Sequence, residues 1–184
     1  FISEIGFERA YAGFKEPDRA AHMEVKGKSA PLELHPYQLK VKAEIKNFIA
    51  REKVEDKWRA TLYLPTGAGK TRVTVQAILE LMNEGKLKNK PVIWIAQSYE
   101  LCEQAVQAFA EVWSEIGTTG NLSLDRFWDD KSVEQASIPD EYVGQVVVAV
   151  DAKVASAAVG NEKYKWLQNS SLVVVDEAHR GGSK

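Results

Sequence analysis

The chain has one cysteine and no apolar stretch near the length needed to cross a membrane. A single thiol cannot close an internal disulfide, so packing alone must hold the core, and a reducing, cytoplasmic compartment fits. An excess of one charge is also missing. Lys and Arg number 24 and Asp and Glu 26, for a net charge of −2. That balance argues against broad, charge-driven binding of nucleic acid and leaves only binding through a local groove. The first residues lack the charged-then-apolar order of a secretory signal. Internal repeats and low-complexity tracts are absent too. What is present is the make-up of an ordinary globular protein, 45% hydrophobic and 27% charged. Its 184 residues are enough for one compact domain with a substantial core.

The most informative run is Leu64-Pro65-Thr66-Gly67-Ala68-Gly69-Lys70-Thr71. It follows a short apolar run, 60–64, that reads as a buried strand, and it opens a helical pattern from Lys70 to Met82. A strand that turns through Gly-x-Gly-Lys-Thr into a helix is a phosphate cradle. Glycines let successive backbone N–H groups turn toward phosphate oxygens where a side chain would collide. Lys70 is placed to reach the β- and γ-phosphates of a nucleoside triphosphate, and the Thr71 hydroxyl to reach Mg²⁺. The strict pattern has glycine where Leu64 stands.

A second motif lies at the far end. The apolar run 171–175 suits a strand buried on both faces, and it leads into Asp176-Glu177-Ala178-His179-Arg180. Adjacent acids at the end of a buried strand are costly without a cationic partner. Mg²⁺ on a nucleotide supplies one, with Asp176 holding the metal and Glu177 orienting or deprotonating the attacking water.

Between these motifs, strands and helices alternate. The pattern predicts a helix from Tyr37 with Val41, Ile45, Phe48 and Ile49 on one face, then a charged link over 51–59. Past the loop it predicts a helix over 70–83, a strand at 92–96 and a helix over 98–114. Strands follow at 122–128 and 146–150, then a short helical or irregular piece before 171–175. Alternation of this kind implies an α/β fold, with a parallel sheet between helices and ligands beyond the C-terminal strand ends. Residues 1–34 read as an N-terminal extension. Phe7, Tyr11 and Phe14 lie there at helical spacing, and Pro17, Gly27 and Pro31 punctuate a loop-rich approach. Cys102 sits in the amphipathic series Leu101, Ala105, Phe109, Val112 and reads as a core residue rather than a nucleophile. Lys86, Lys88 and Lys90 read as a solvated loop.

With both motifs in view, the chain resembles, from about residue 34 onward, the first RecA-like lobe of a superfamily 2 DEAD/DEAH-box helicase or translocase. The branch that includes restriction-enzyme motor subunits is the nearest match. Pro65 to Thr71 is similar to that superfamily's motif I, in which the first glycine is often absent, and Asp176-Glu177-Ala178-His179 to its motif II. Leu34-His35-Pro36-Tyr37-Gln38 resembles the upstream segment whose glutamine reads adenine, and an amide can donate and accept at once, as adenine requires. A basic residue often stands where His35 does. Ala96-Gln97-Ser98-Tyr99-Glu100-Leu101 resembles motif Ia, which implies that Gln97 and Ser98 meet a nucleic-acid backbone; helix capping by Ser98 explains the same residues without a ligand. Val148-Ala149-Val150-Asp151-Ala152 stands in the place of motif Ib, where threonine is common at Val150. Asp151 there suits a helix cap better than a phosphate contact.

The resemblance implies a three-layer RecA-like P-loop NTPase domain with a mainly parallel sheet over 35–184. It implies ATP held by Gln38, Thr66, Gly67, Ala68, Gly69, Lys70, Thr71 and Arg72, and Mg²⁺ held by Thr71 and Asp176. Lys70, Asp176, Glu177 and His179 then form the catalytic set, His179 linking nucleotide state to the second lobe or to the nucleic-acid path. The implied activity is ATP hydrolysis coupled to movement on nucleic acid, DNA ahead of RNA, with a second RecA-like lobe supplying an arginine. The chain begins at Phe1 and stops soon after motif II, which reads as part of a longer polypeptide with weak turnover on its own. A nucleotide-gated scaffold or switch that unwinds nothing would carry the same two motifs. A kinase-like phosphotransferase would leave Ala178-His179 and the motif Ia-like segment without a reason.

Overall fold

The computed structural model describes residues 19–27, 33–51, 59–87, 90–117, 120–134, 142–158 and 162–176. The elements run β1 (His22–Lys26), α1 (Pro36–Ala50), α2 (Lys70–Asn83), β2 (Val92–Ala96), α3 (Tyr99–Ile116), β3 (Asn121–Phe127), β4 (Tyr142–Val150) and α4 (Asp151–Ala158). A 3-10 helix (Glu162–Asn169) and β5 (Leu172–Val175) complete the order. The strands form one sheet in the order β1-β3-β4-β2-β5. All neighbours are parallel except β1, which runs antiparallel to β3. This is an α/β RecA-like fold with a mixed, mostly parallel sheet between helices.

Alternating side chains on each strand divide the core in two. Val92, Trp94 and Ala96 of β2, Leu122 and Leu124 of β3, and Val146, Val148 and Val150 of β4 pack with α2 and α3. Ile93, Phe127, Val147 and Ala149 pack on the other face, with Ala157 of α4 and Leu167 of the 3-10 helix. The apolar residues of α3 recur as Cys102, Ala105, Val106, Phe109, Val112 and Trp113, the spacing of one buried stripe. Among the described residues, no helix is long and apolar enough to cross a membrane.

Three expectations change. The run 60–64 is not a buried strand: residues 59–65 carry no regular structure, and Tyr63 is 90% exposed. Only Leu62 and Leu64 are half-buried, so the run meets its apolar demand with two side chains and no ladder. β5, in turn, is an edge strand and not buried on both faces. Its Leu172 and Val174 pack on the α2–α3 side, whereas Val173 and Val175 are 50% and 54% exposed because the α4 side does not extend over them. Finally, 22–26 is a strand where the Pro- and Gly-punctuated approach read as loop. Its inward set is only Met23 and Val25, too few to stand out among His22, Glu24 and Lys26. The helix expected around Phe7, Tyr11 and Phe14, and most of the charged link, lie outside the described residues.

β3 is buried along both faces, polar residues included, because its polar groups satisfy each other. Asp125 accepts from Gln145 Nε2 at 2.8 Å and from Ser123 Oγ at 3.2 Å, and its other oxygen lies 2.9 Å from His22 Nδ1. Arg126 makes a two-pronged pair with Glu103 on α3, at 2.9 and 3.0 Å. Most buried polar groups in folded proteins are paired in this way.

α1 is fastened to α2 by charge. Lys42 and Lys46 donate to the two oxygens of Glu80 at 2.6 and 2.9 Å, and Gln76 donates to the same carboxylate. Burial raises the Glu80 carboxyl, but hydrogen bonds from Lys42, Lys46 and Gln76 outweigh it and the net shift is downward. A carboxyl lowered on folding stabilises the fold above its unfolded value and loses that contribution as pH falls through the folded value. The α1–α2 clamp is therefore expected to weaken below the ordinary glutamate value of 4.5. Thermal midpoints of wild type and Glu80→Gln across the acid range check this. The variant should lose about 1–2 kcal/mol at neutral pH and show a flatter acid limb. Parallel curves for the two proteins would contradict the assignment.

Candidate functional site

α2 runs antiparallel to the parallel strands: Met82, near its C-terminus, lies against Gly144, near the start of β4, where an added Cβ would meet Met82 Cε and Sδ at 3.3 Å. The N-terminus of α2 is thus directed toward the C-terminal strand ends, the usual ligand side of such a sheet. Immediately before it, residues 66–68 form a turn closed by Ala68 N–H donating to Pro65 C=O at 3.1 Å. Gly67 and Gly69 have φ of 79° and 78°, the left-handed region that glycine adopts freely. Gly69 is the N-cap of α2. Lys70, Thr71 and Arg72 then fill a first turn that contains no acid.

The loop is held from α1. Tyr37 Oη donates to Ala68 C=O at 3.1 Å, and Gln38 Nε2 donates to the same oxygen at 3.2 Å. Gln38 Oε1 accepts from the His35 backbone N–H at 3.0 Å. Gln38 thus touches the loop from sequence position 38 and keeps one N–H and one lone pair beyond these bonds. Sequence gives Tyr37 only as the start of a helix and as an aromatic flanking the glutamine in Leu34–Gln38. Arg72 Nη2 donates to Glu115 on α3 and so is aimed at that helix.

The two glycines differ in what a side chain would meet. At Gly69 an added Cβ would lie 2.6 Å from Gln38 Nε2, whereas at Gly67 nothing stands within 4 Å. Gly69→Ala is expected to cost about 1–2 kcal/mol for the left-handed backbone and also to push Gln38 off Ala68. Gly67→Ala carries the backbone cost alone. Denaturant unfolding of the two variants checks the order, and equal losses would contradict it.

At the C-terminal strand ends, Asp176 follows β5, and its backbone N–H donates to Ile95 C=O of β2 at 2.8 Å. The ends of β2 and β5 are therefore side by side, which brings Gln97 and Ser98 into the region of Asp176. Ser98 is the N-cap of α3, its Oγ accepting from Leu101 N–H at 3.3 Å, so the capping role holds whatever else the hydroxyl meets. The Ser98 hydroxyl and the residue's own N–H hold the Glu100 carboxyl below the ordinary range. Asp151 is the first residue of α4 rather than its cap, and its Oδ1 accepts from the next N–H, Ala152, at 2.6 Å, which places an acid in the first turn. Glu177 and His179 lie outside the described residues. Among the described residues, no group of three or more His, Cys, Asp or Glu converges to hold a metal ion.

Cys102 is a core residue, fully buried on the inner stripe of α3. Burial pushes its thiol up to about 12. Alkylation is therefore expected to be negligible in the folded protein near neutral pH and prompt after unfolding in urea. Prompt labelling of the folded protein would contradict this placement.

The sheet order, the flanking helices and the glycine turn at the head of α2 define a RecA-like domain. A family model described as type III restriction enzyme, res subunit, matches residues 31–184. The chain belongs to that family, and with it to the superfamily 2 helicase-like domains of the restriction-enzyme motor branch. Membership makes it a nucleic-acid-associated, ATPase-type domain.

Proposed function

We propose that this chain is the ATP-binding lobe of a motor that couples ATP hydrolysis to movement on nucleic acid, DNA ahead of RNA. The observation that carries the reading is the turn 66–69, with two left-handed glycines, opening α2 toward the C-terminal strand ends. The residues suit a triphosphate: the glycines leave backbone N–H groups accessible, and the N-terminus of α2 adds its dipole. Lys70 would neutralise the β- and γ-phosphates. Thr71 and Asp176 would be the protein donors to Mg²⁺, with phosphate and water completing its shell. The metal, when bound, supplies charge to the transferring phosphoryl oxygens. Glu177 would orient the water, Gln38 would read the adenine edge, Thr66 would contribute backbone to the cradle, and Ala68 would hold the cradle's shape through its bonds to Pro65, Tyr37 and Gln38.

Gln97 and Ser98 extend the reading to a nucleic-acid backbone at the end of β2, and His179 to a link between the two ligands. Family membership supports nucleic-acid association and pairing with a second RecA-like lobe. The test is ATP hydrolysis by the intact protein with and without DNA. DNA is expected to raise the rate, and Glu177→Gln to keep ATP binding while lowering turnover about 10²–10⁴-fold. Hydrolysis indifferent to both DNA and RNA would overturn the motor reading. Strand displacement then separates unwinding from a nucleotide-gated switch.

A further inference from the structure

We propose that Tyr37 is a positioning residue for the phosphate loop: its hydroxyl, together with the Gln38 amide, pins the Ala68 carbonyl and so aims the Gly69 N–H at the anion. The inference rests on the triphosphate reading above and adds a residue and a device to it. Two donors from α1 converge on one oxygen, Tyr37 Oη at 3.1 Å and Gln38 Nε2 at 3.2 Å, about thirty residues away in sequence. Two donors occupy both lone pairs of a carbonyl. The peptide that joins Ala68 to Gly69 is planar and trans, so its N–H points opposite to its C=O. Holding the oxygen against α1 turns the Gly69 N–H away from α1. The rotation this prevents is a flip of the 68–69 peptide, which glycine at 69 would otherwise permit.

The device has a rigid base. The Tyr37 ring stacks on His35, with centroids 5.9 Å apart and planes 6° from parallel, which fixes the direction of the hydroxyl. Further along α1, the pairs of Lys42 and Lys46 with Glu80 hold that helix on α2. The carbonyl at 68 is thus tied to α1, residue 70 begins α2, and the two helices are clamped together. Tyr37 is 46% exposed, so core packing does not explain its hydroxyl bond.

Tyr37→Phe keeps the ring and the stack and removes only the hydroxyl. Affinities for ATP and for inorganic tripolyphosphate, which has no base, are compared in wild type and variant. Pinning predicts that both fall by the same factor, about 3–10-fold, the worth of one neutral hydrogen bond. Gln38→Ala is expected to lose more for ATP than for tripolyphosphate, since its amide serves the base as well. Unchanged affinities in Tyr37→Phe, or a loss confined to ATP, would overturn the proposal. Backbone order parameters without any ligand give a separate readout. The Gly69 N–H vector should have a lower order parameter in Tyr37→Phe at an unchanged thermal midpoint, and equal order parameters would also overturn the pinning. If wild type binds neither probe, the triphosphate reading itself fails, and the order-parameter comparison alone decides whether Tyr37 holds the loop.

Discussion

Phe109→Ala is expected to destabilise the protein by about 3–5 kcal/mol, the usual cost of deleting a fully buried aromatic ring. Phe109 has no exposed surface and meets Trp94 edge-on, with ring centroids 5.6 Å apart and planes at 87°. This pair joins the middle of α3 to the middle of β2. Deletion leaves a cavity between them that neighbouring side chains fill only in part. Against a typical domain stability of about 5–15 kcal/mol, the loss is large. Urea unfolding should show a lower midpoint with an unchanged slope. Because β2 ends at Ala96, just before Gln97, and α3 starts from its cap Ser98, the same loss should loosen the strand ends beside Asp176. A change below about 1 kcal/mol would mean that α3 does not dock on β2 through this ring.

The second large effect has two parts of opposite sign. Lys70 and Arg72 occupy the first turn of α2, where no acid offsets them. Cations at the positive end of a helix dipole are unfavourable by about 0.3–1 kcal/mol each. Arg72 finds Glu115 on α3, so the strain that remains is at Lys70. An anion bound before the helix would relieve it. Lys70→Ala is therefore expected to leave the unliganded protein equally stable or slightly more stable. It should also lower the affinity for Mg-ATP about 10–100-fold, the worth of a charge-assisted hydrogen bond. Thermal unfolding and equilibrium binding on the same preparation read both parts. A variant that loses stability and keeps its nucleotide affinity would show that Lys70 serves the fold.

Sequence patterning reveals elements whose own residues specify them. β2 and the 146–150 part of β4 are unbroken apolar runs, α3 has a buried stripe capped by Ser98, and the turn into α2 announces itself through Gly67, Gly69 and Lys70. It fails where structure depends on distant partners. β1 is a strand because β3 offers it an edge, and Met23 and Val25 alone do not signal that. The run 60–64 has the composition of a strand, yet no ladder recruits it. Val173 and Val175 look like core residues in a list, and only their place at the sheet edge exposes them. The grip of Tyr37 and Gln38 on Ala68, and the pairing of Arg126 with Glu103, span parts of the chain that composition and periodicity cannot relate.

If the turn at 66–69 and the first residues of α2 cradle a triphosphate, as proposed, backbone amide resonances followed by NMR during a titration with Mg-ATP will show it. The expected result is saturable shifts that are largest at Gly67, Gly69, Lys70 and Thr71, reproduced by tripolyphosphate with Mg²⁺ and abolished in Lys70→Ala. Saturating ATP that leaves these four amides unmoved, or that moves only amides elsewhere, would contradict it.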